Sequence, residues 1–225
     1  MSGPLPPEGF RTRGVTPVGA RLVLIRHGEA RCNERGVVGG PLGCGGLTQL
    51  GRRQALELRD RLERTRELRD AGALYTSLLP RAIQTAAILA PGLPDLTPES
   101  DCDLCELHPG EADGLTWDEL VARFGAPDWD EDASTPLAPG AESWTGFYER
   151  CVAALTRLVA RHPGERVVVV THGGVIEQAM KLLYGATPGT RLRLLTENCS
   201  MTEIEFDRGR LRLLRYNDLA PVPIE

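Results

Sequence analysis

From Arg21 onward short β-branched runs alternate with longer amphipathic stretches, and few architectures accept that alternation. Strand, covering helix and strand again is a βαβ rhythm, which yields a mostly parallel sheet with helices packed against it. Leu22 to Ile25 reads as a buried strand, and Thr48 can cap a helix on which Gly51, Ala55, Leu58 and Leu62 share one face. Ala73 to Thr76 is a second strand. Ser77 and Pro80 open the next helix, with Ile83, Ala87 and Ala90 expected as its inner stripe and Pro91-Gly92 as its stop. A helix from Ser143 to Ala160, a strand from Val167 to Val170 and a helix from about Val175 to Gly185 continue the rhythm. At the end, Thr202, Ile204 and Phe206 alternate, Asp207-Arg208-Gly209 turns, and Leu211 to Tyr216 returns as a hairpin. The predicted fold class is therefore α/β: a three-layer α/β/α sandwich with a mostly parallel sheet and a C-terminal β-hairpin.

Two segments break the rhythm. Residues 1–20 are rich in Pro and Gly and read as a flexible tail ahead of a single domain over 21–220. Residues 107–143 form an irregular insertion with one short helix near Trp117 to Phe124, and a long irregular segment inside a domain is commonly a lid or a mobile element. No apolar run reaches the roughly 18 residues of a membrane span, and the N-terminus lacks the apolar core of an export signal, so a cytoplasmic location is expected. With 26 basic against 31 acidic residues, the net charge of −5 gives no general reason for binding nucleic acid or an anionic membrane. Six cysteines in a chain of 225 residues without an export signal are expected to be reduced thiols. Cys102, Cys105 and His108 suggest zinc, but with no second ligand pair at zinc spacing they read as ordinary thiols and a bystander histidine, and no metal is expected.

In sheets of this kind ligands bind at the carboxyl ends of the strands. Two of the four histidines fall there, each followed by glycine: Arg26-His27-Gly28-Glu29 after the first strand and Thr171-His172-Gly173-Gly174 after the Val167 to Val170 strand. Arg81 lies in the first helical turn after the second strand. Two imidazoles, two guanidiniums and the N-terminus of a helix starting after Gly173 converge on one crevice, a donor set suited to a phosphoryl group and poorly suited to a divalent cation.

The order of motifs resembles that of the histidine phosphatase superfamily, in the branch that holds cofactor-dependent phosphoglycerate mutases and related small phosphatases. After Arg26-His27-Gly28-Glu29-Ala30 and Asn33 come Leu47-Thr48-Gln49-Leu50-Gly51, Tyr75-Thr76-Ser77, Pro80-Arg81-Ala82 and Leu104-Cys105-Glu106-Leu107. Gly114-Leu115-Thr116, Glu142-Ser143, Thr171-His172-Gly173-Gly174 and Asn198-Cys199-Ser200 follow, so that the resemblance runs from Arg21 to Asp218. It implies a phosphoglycerate mutase-like sandwich, His27 as nucleophile, Glu106 as proton donor, and His172 as a donor that stabilises the transition state as imidazolium. Arg26, Asn33, Arg81 and Gly173 are implied to bind phosphate, with no cofactor required. A proton donor of this kind works best partly out of water, so Glu106 is expected to be partly desolvated at the crevice mouth.

Departures from the family pattern bear on substrate. Gly39-Gly40 stands where the family has threonine-glycine, Glu111-Ala112-Asp113-Gly114 replaces an aromatic-and-glutamate stretch, and the mutases' Arg-rich segment is not visible. Asp128-Trp129-Asp130-Glu131-Asp132 would repel a doubly anionic substrate if it faced the cleft. The expected activity is a metal-independent phosphomonoesterase acting through phosphohistidine on a small phosphorylated metabolite and releasing inorganic phosphate. The alternatives are mutase-type transfer and a catalytically silent phosphate-binding domain. Oligomeric state is not fixed by the sequence; a homodimer is compatible with it.

Overall fold

Period-two burial explains where the sheet lies. In the strand β1 (Val18–Arg26), Leu22 and Leu24 face one helical layer while Val23 and Ile25 face the other, and all four are buried. Strand β4 (Arg166–Thr171) repeats the division, with Val167 and Val169 on the first side and Val168 and Val170 on the second. A strand that is apolar on both faces needs a cover on each. Helices α5 (Trp144–Arg161) and α6 (Gly173–Tyr184) supply one, while α2 (Gln49–Thr65) and α3 (Pro80–Leu89) supply the other. The expected three-layer α/β/α sandwich is what forms.

The remaining elements are α1 (Arg31–Arg35), β2 (Ala71–Thr76), β3 (Glu99–Ser100), α4 (Trp117–Phe124), β5 (Met201–Asp207) and β6 (Arg210–Asp218). The sheet order is β3-β2-β4-β1-β5-β6. Strands β1 to β4 run parallel, whereas β5 is antiparallel to both β1 and β6, so the terminal hairpin extends one edge. The structure, a computed structural model, describes residues 18–219 except positions 94, 191 and 193. None of the described helices is long and apolar enough to cross a membrane.

Three expectations change. Strand β1 begins at Val18, so Val18 to Ala20 belong to the sheet rather than to the tail, and the rest of the expected tail lies outside the described residues. On α3 the inward stripe is Arg81, Ala82, Thr85, Ala86 and Leu89, whereas Ile83 and Ala87 face solvent. The helix phase is set by what must be enclosed: turning Arg81 and Thr85 toward the strand ends rotates Ile83 outward. The 107–143 insertion is packed. Ala112, Leu120, Leu137 and Ala138 form a small core of their own, joined by Leu115, Phe124 and Trp129.

Candidate active site

Three strand ends deliver the central groups. His27 follows β1; its amide donates to the Thr171 carbonyl at 2.9 Å, and its own carbonyl accepts from Asn198 Nδ2 at 2.7 Å. Its Nδ1 lies 2.7 Å from the Gly28 carbonyl. A carbonyl only accepts, so Nδ1 carries the proton and Nε2 keeps its lone pair. The loop that imposes this pose needs glycine, since a Cβ on Gly28 would stand 2.3 Å from the Gly51 carbonyl oxygen at the start of α2.

His172 follows β4 and meets His27 with ring centroids 5.1 Å apart. Arg81, 4% exposed, lies against both: its Nε is 3.1 Å from His27 Nε2 and 3.2 Å from His172 Nδ1, and its Nη1 donates to the Gly39 carbonyl at 2.6 Å. Because Arg81 only donates, His172 Nδ1 accepts and its Nε2–H is directed to Ser77 Oγ at 2.7 Å. Ser77 Oγ also accepts from the Leu79 amide at 3.0 Å and donates to Cys105 Sγ at 3.5 Å. Every polar atom of this chain thus has one consistent role.

Burial is the main cause of the charge states. It pushes both imidazoles well below the ordinary histidine range, and the Arg81 guanidinium pushes each further; the bond from Nδ1 to Gly28 opposes this at His27 without offsetting it. Both rings are therefore neutral, which suits His27 as a nucleophile. At His172 the expected imidazolium concerns the transition state; in the resting site a third cation beside Arg81 and Arg26 would be costly, and the buried ring is neutral. Burial likewise lowers the Arg26 pKa, while Glu106 and Glu197 oppose it. Arg26 donates through Nη1 to the Thr196 carbonyl, but its buried Nε has no partner among the described residues.

Glu106 lies where it was expected, partly exposed at the cleft. Its Oε2 accepts from the Gly174 amide at 3.0 Å at the N-terminus of α6. A Cβ on Gly174 would come within 2.0 Å of Glu106 Oε1, so the second glycine of His172-Gly173-Gly174 makes room for this carboxylate. The ideal Cβ position of Gly173 is 3.7 Å from Arg26 Nε, which brings that helix end to the orphaned donor. Asn33 lines the cleft but is exposed, and its Oδ1 caps α1 by accepting from the Ala30 amide at 3.2 Å.

Arg26, His27, Asn33, Arg81, Glu106, Gly173 and Gly174 border one cleft of about 510 Å³, with His172 fully buried next to His27, and the outer wall of the cleft is aromatic: Trp117, Trp129 and Trp144, with Leu107, Leu137 and Val38. Trp129 stacks on Trp144 at 5.2 Å. Of the acidic run, Trp129 faces this cleft and Asp130 borders an adjoining pocket, whereas Asp128 and Asp132 are turned into local turns, accepting from Asp130, Glu131 and Ser134 amides. The run does not present a wall of charge to the cleft. Beyond the part of Ser77 in opening α3, nothing in the sequence marks Ser77, Arg150 or Asp113 as belonging to the site. Arg150, on α5, donates to the Asp103, Cys105 and Glu106 carbonyls and so fixes the backbone carrying Glu106. Asp113 accepts from the Gly40, Leu42 and Gly43 amides and fixes the loop that receives Arg81. In a chain whose only lysine is Lys181, arginine is too common for Arg150 to stand out.

A neutral histidine with its lone pair directed at the Arg81 guanidinium, and a second guanidinium, Arg26, bordering the same cleft at the carboxyl edge of a parallel sheet, is the arrangement of a phosphatase of the histidine type. The family model described as "Histidine phosphatase superfamily (branch 1)" matches residues 22–219, and the chain belongs to that superfamily. It is 37% identical over 164 residues to "Phosphoglycerate mutase-like protein 4" of Arabidopsis thaliana, covering 70% of this chain and 68% of that protein. It is 35% identical over 162 residues to the "Metal-independent phosphoserine phosphatase" of the same plant, covering 69% of this chain and 65% of that protein. The chain thus spans about two thirds of the length of these two relatives. Among solved structures, a mycobacterial glucosyl-3-phosphoglycerate phosphatase in complex with VO3 superposes with a TM-score of 0.71 at 29% identity, covering 88% of this chain and 99% of that one.

Proposed function

We propose that the chain is a metal-independent phosphomonoesterase that passes a phosphoryl group through His27 Nε2. The observation that carries this is the Arg81 guanidinium set against that lone pair, with the unpartnered Nε–H of Arg26 beside it at the α6 N-terminus. Buried donors without partners are costly, and a phosphoryl group supplies the acceptors they lack. Gly173 and Asn33 border the same space. The imidazoles stand too close to hold an anion between them, so the ester approaches from the cleft side and Arg81 turns its donors from His27 to the phosphoryl oxygens.

In the first step the His27 lone pair forms an N–P bond as the ester P–O bond breaks, and Glu106 gives its proton to the departing alkoxide. In the second, Glu106 takes a proton from water, the water oxygen attacks phosphorus, and the N–P bond breaks to return the lone pair to His27 and release phosphate. His172 holds Arg81 through its Nδ1 lone pair and donates through Nε2 once that ring turns to the transition state. The alcohol half of a small phosphorylated metabolite would meet the three indoles together with the Glu106 and Glu177 carboxylates, surroundings that favour an apolar or sugar face over a second anion and support hydrolysis over mutase transfer.

The test is release of phosphate from an aryl phosphate and a panel of metabolite monoesters in chelator. Turnover is expected in chelator, with inhibition by vanadate and near-complete loss in His27→Ala. Chelator-sensitive turnover that survives His27→Ala would overturn the assignment, and conversion of 3-phosphoglycerate to its isomer without free phosphate would replace phosphatase by mutase.

A further inference from the structure

Behind the active site, a second group of side chains gathers on one short segment. Cys102, Cys105 and His108 bring two sulfurs and an imidazole nitrogen together, with the donor atoms all within 4.8 Å of one another. Cys102 Sγ lies 3.7 Å from His108 Nε2. Tetrahedral zinc, with Zn–S of about 2.3 Å and Zn–N of about 2.0–2.1 Å, holds such a pair roughly 3.6 Å apart. The imidazole is also braced on its other edge. Its Nδ1 faces Glu142 Oε1 at 3.6 Å, and Glu142 is itself fixed by Arg150 at 2.7 Å and accepts from the His108 amide at 2.9 Å. A carboxylate behind a histidine nitrogen is the arrangement that orients metal-binding imidazoles.

We propose that Cys102, Cys105 and His108 form a binding site for a thiophilic divalent cation of the zinc class, separate from the phosphoryl-binding cleft. Three protein donors leave a fourth position for water, as in exchangeable rather than closed sites. Access is open, since Cys102 is exposed and the three residues border a cavity of about 420 Å³. Local geometry completes the set without a second ligand pair, because His108 follows Cys105 by three residues and the turn folds it back. Binding releases the two thiol protons to solvent and leaves both sulfurs as thiolates.

The site is wired to the catalytic groups. Cys105 Sγ accepts from Ser77 Oγ, which receives His172 Nε2, and Cys105 immediately precedes Glu106. A cation on Cys105 draws away the sulfur electron density that holds the Ser77 hydroxyl and stiffens the turn that carries Glu106, so occupancy is expected to inhibit.

The experiment titrates the full chain with Co²⁺ and Zn²⁺ in a non-thiol reductant. One Co²⁺ per chain is expected, with a sulfur-to-cobalt charge-transfer band that Zn²⁺ abolishes. Cys102→Ser and His108→Ala should each weaken binding by at least the ~10–100-fold that loss of a bracing partner costs elsewhere, while His27→Ala leaves it intact. Zn²⁺ should inhibit the native enzyme, with the half-inhibitory concentration raised about tenfold or more in Cys102→Ser. Absence of the charge-transfer band, or stoichiometric binding that survives Cys102→Ser and is lost in His27→Ala, would overturn the site, because the metal would then sit on the catalytic imidazoles. Equal inhibition of native enzyme and Cys102→Ser would overturn the coupling. If His108→Ala unfolds, Cys102→Ser still decides, since its side chain is exposed.

Discussion

At the scale of single residues, the site depends on side chains that are absent as much as on those present. Gly174 has no Cβ because the Glu106 carboxylate occupies that space, within 2.0 Å of where the Cβ would be. Gly174→Ala therefore adds one methyl to the start of α6, a favourable helix substitution by propensity, yet must displace Glu106. We expect the variant to fold with an unchanged or slightly raised Tm and to lose activity nearly as completely as Glu106→Gln. Steady-state kinetics beside a thermal melt checks this; a fully active Gly174→Ala would remove Glu106 from the mechanism. Sequence reasoning picked out the glycine-bearing motif but not the task of its second glycine, because a missing atom acquires meaning only from a neighbour 68 positions away in the chain.

At the scale of elements, the strand ends were legible and the supports were not. His27, Arg81 and His172 follow strands whose apolar runs give away their burial, and burial at the carboxyl edge of a parallel sheet fixes where such residues gather. The phase of α3 departs from its apolar periodicity, because a stripe of Ile83, Ala87 and Ala90 is the more apolar choice and only the requirement to enclose Arg81 and Thr85 rejects it. Nor does any period mark Asp113, which acts through three backbone amides of a loop far earlier in the chain. Its carboxylate holds Gly40, Leu42 and Gly43 at 2.8–2.9 Å, and the neighbouring Gly39 carbonyl receives Arg81 Nη1. Asp113→Ala leaves those amides to water and frees the loop, at an expected cost of about 1–3 kcal/mol. Arg81 then loses a fixed acceptor, and kcat/KM should fall by about tenfold, the ~1.4 kcal/mol of one mispositioned contact. Urea melts and phosphatase kinetics on the same preparation test both halves, and unchanged kinetics would show that Arg81 is held without the loop.

At the scale of the whole molecule, the fold encloses two neutral imidazoles and a guanidinium at strand ends, and that arrangement has a stability consequence with a definite sign. His27 and His172 have folded-state pKa values well below the ordinary value of about 6.5, chiefly through burial and then through Arg81. Below about pH 6.5 the unfolded chain takes up a proton at each position while the folded chain does not, so the unfolded state binds more protons and stability rises with pH across that window. Acidification from neutral pH therefore destabilises, by about 1.4 kcal/mol per pH unit for each histidine once its unfolded form is charged, until the folded-state pKa is reached. Carboxylates add losses at still lower pH, so a single melt does not isolate this contribution. Comparing native protein with His172→Gln does: glutamine does not titrate and can still donate toward Ser77. Between about pH 6.5 and pH 5 the native stability should fall more steeply than that of the variant by the equivalent of one proton. The two curves converge toward acid, and parallel curves would mean that His172 titrates alike in both states, so that the strand-end site is more open to water than its 0% exposure indicates.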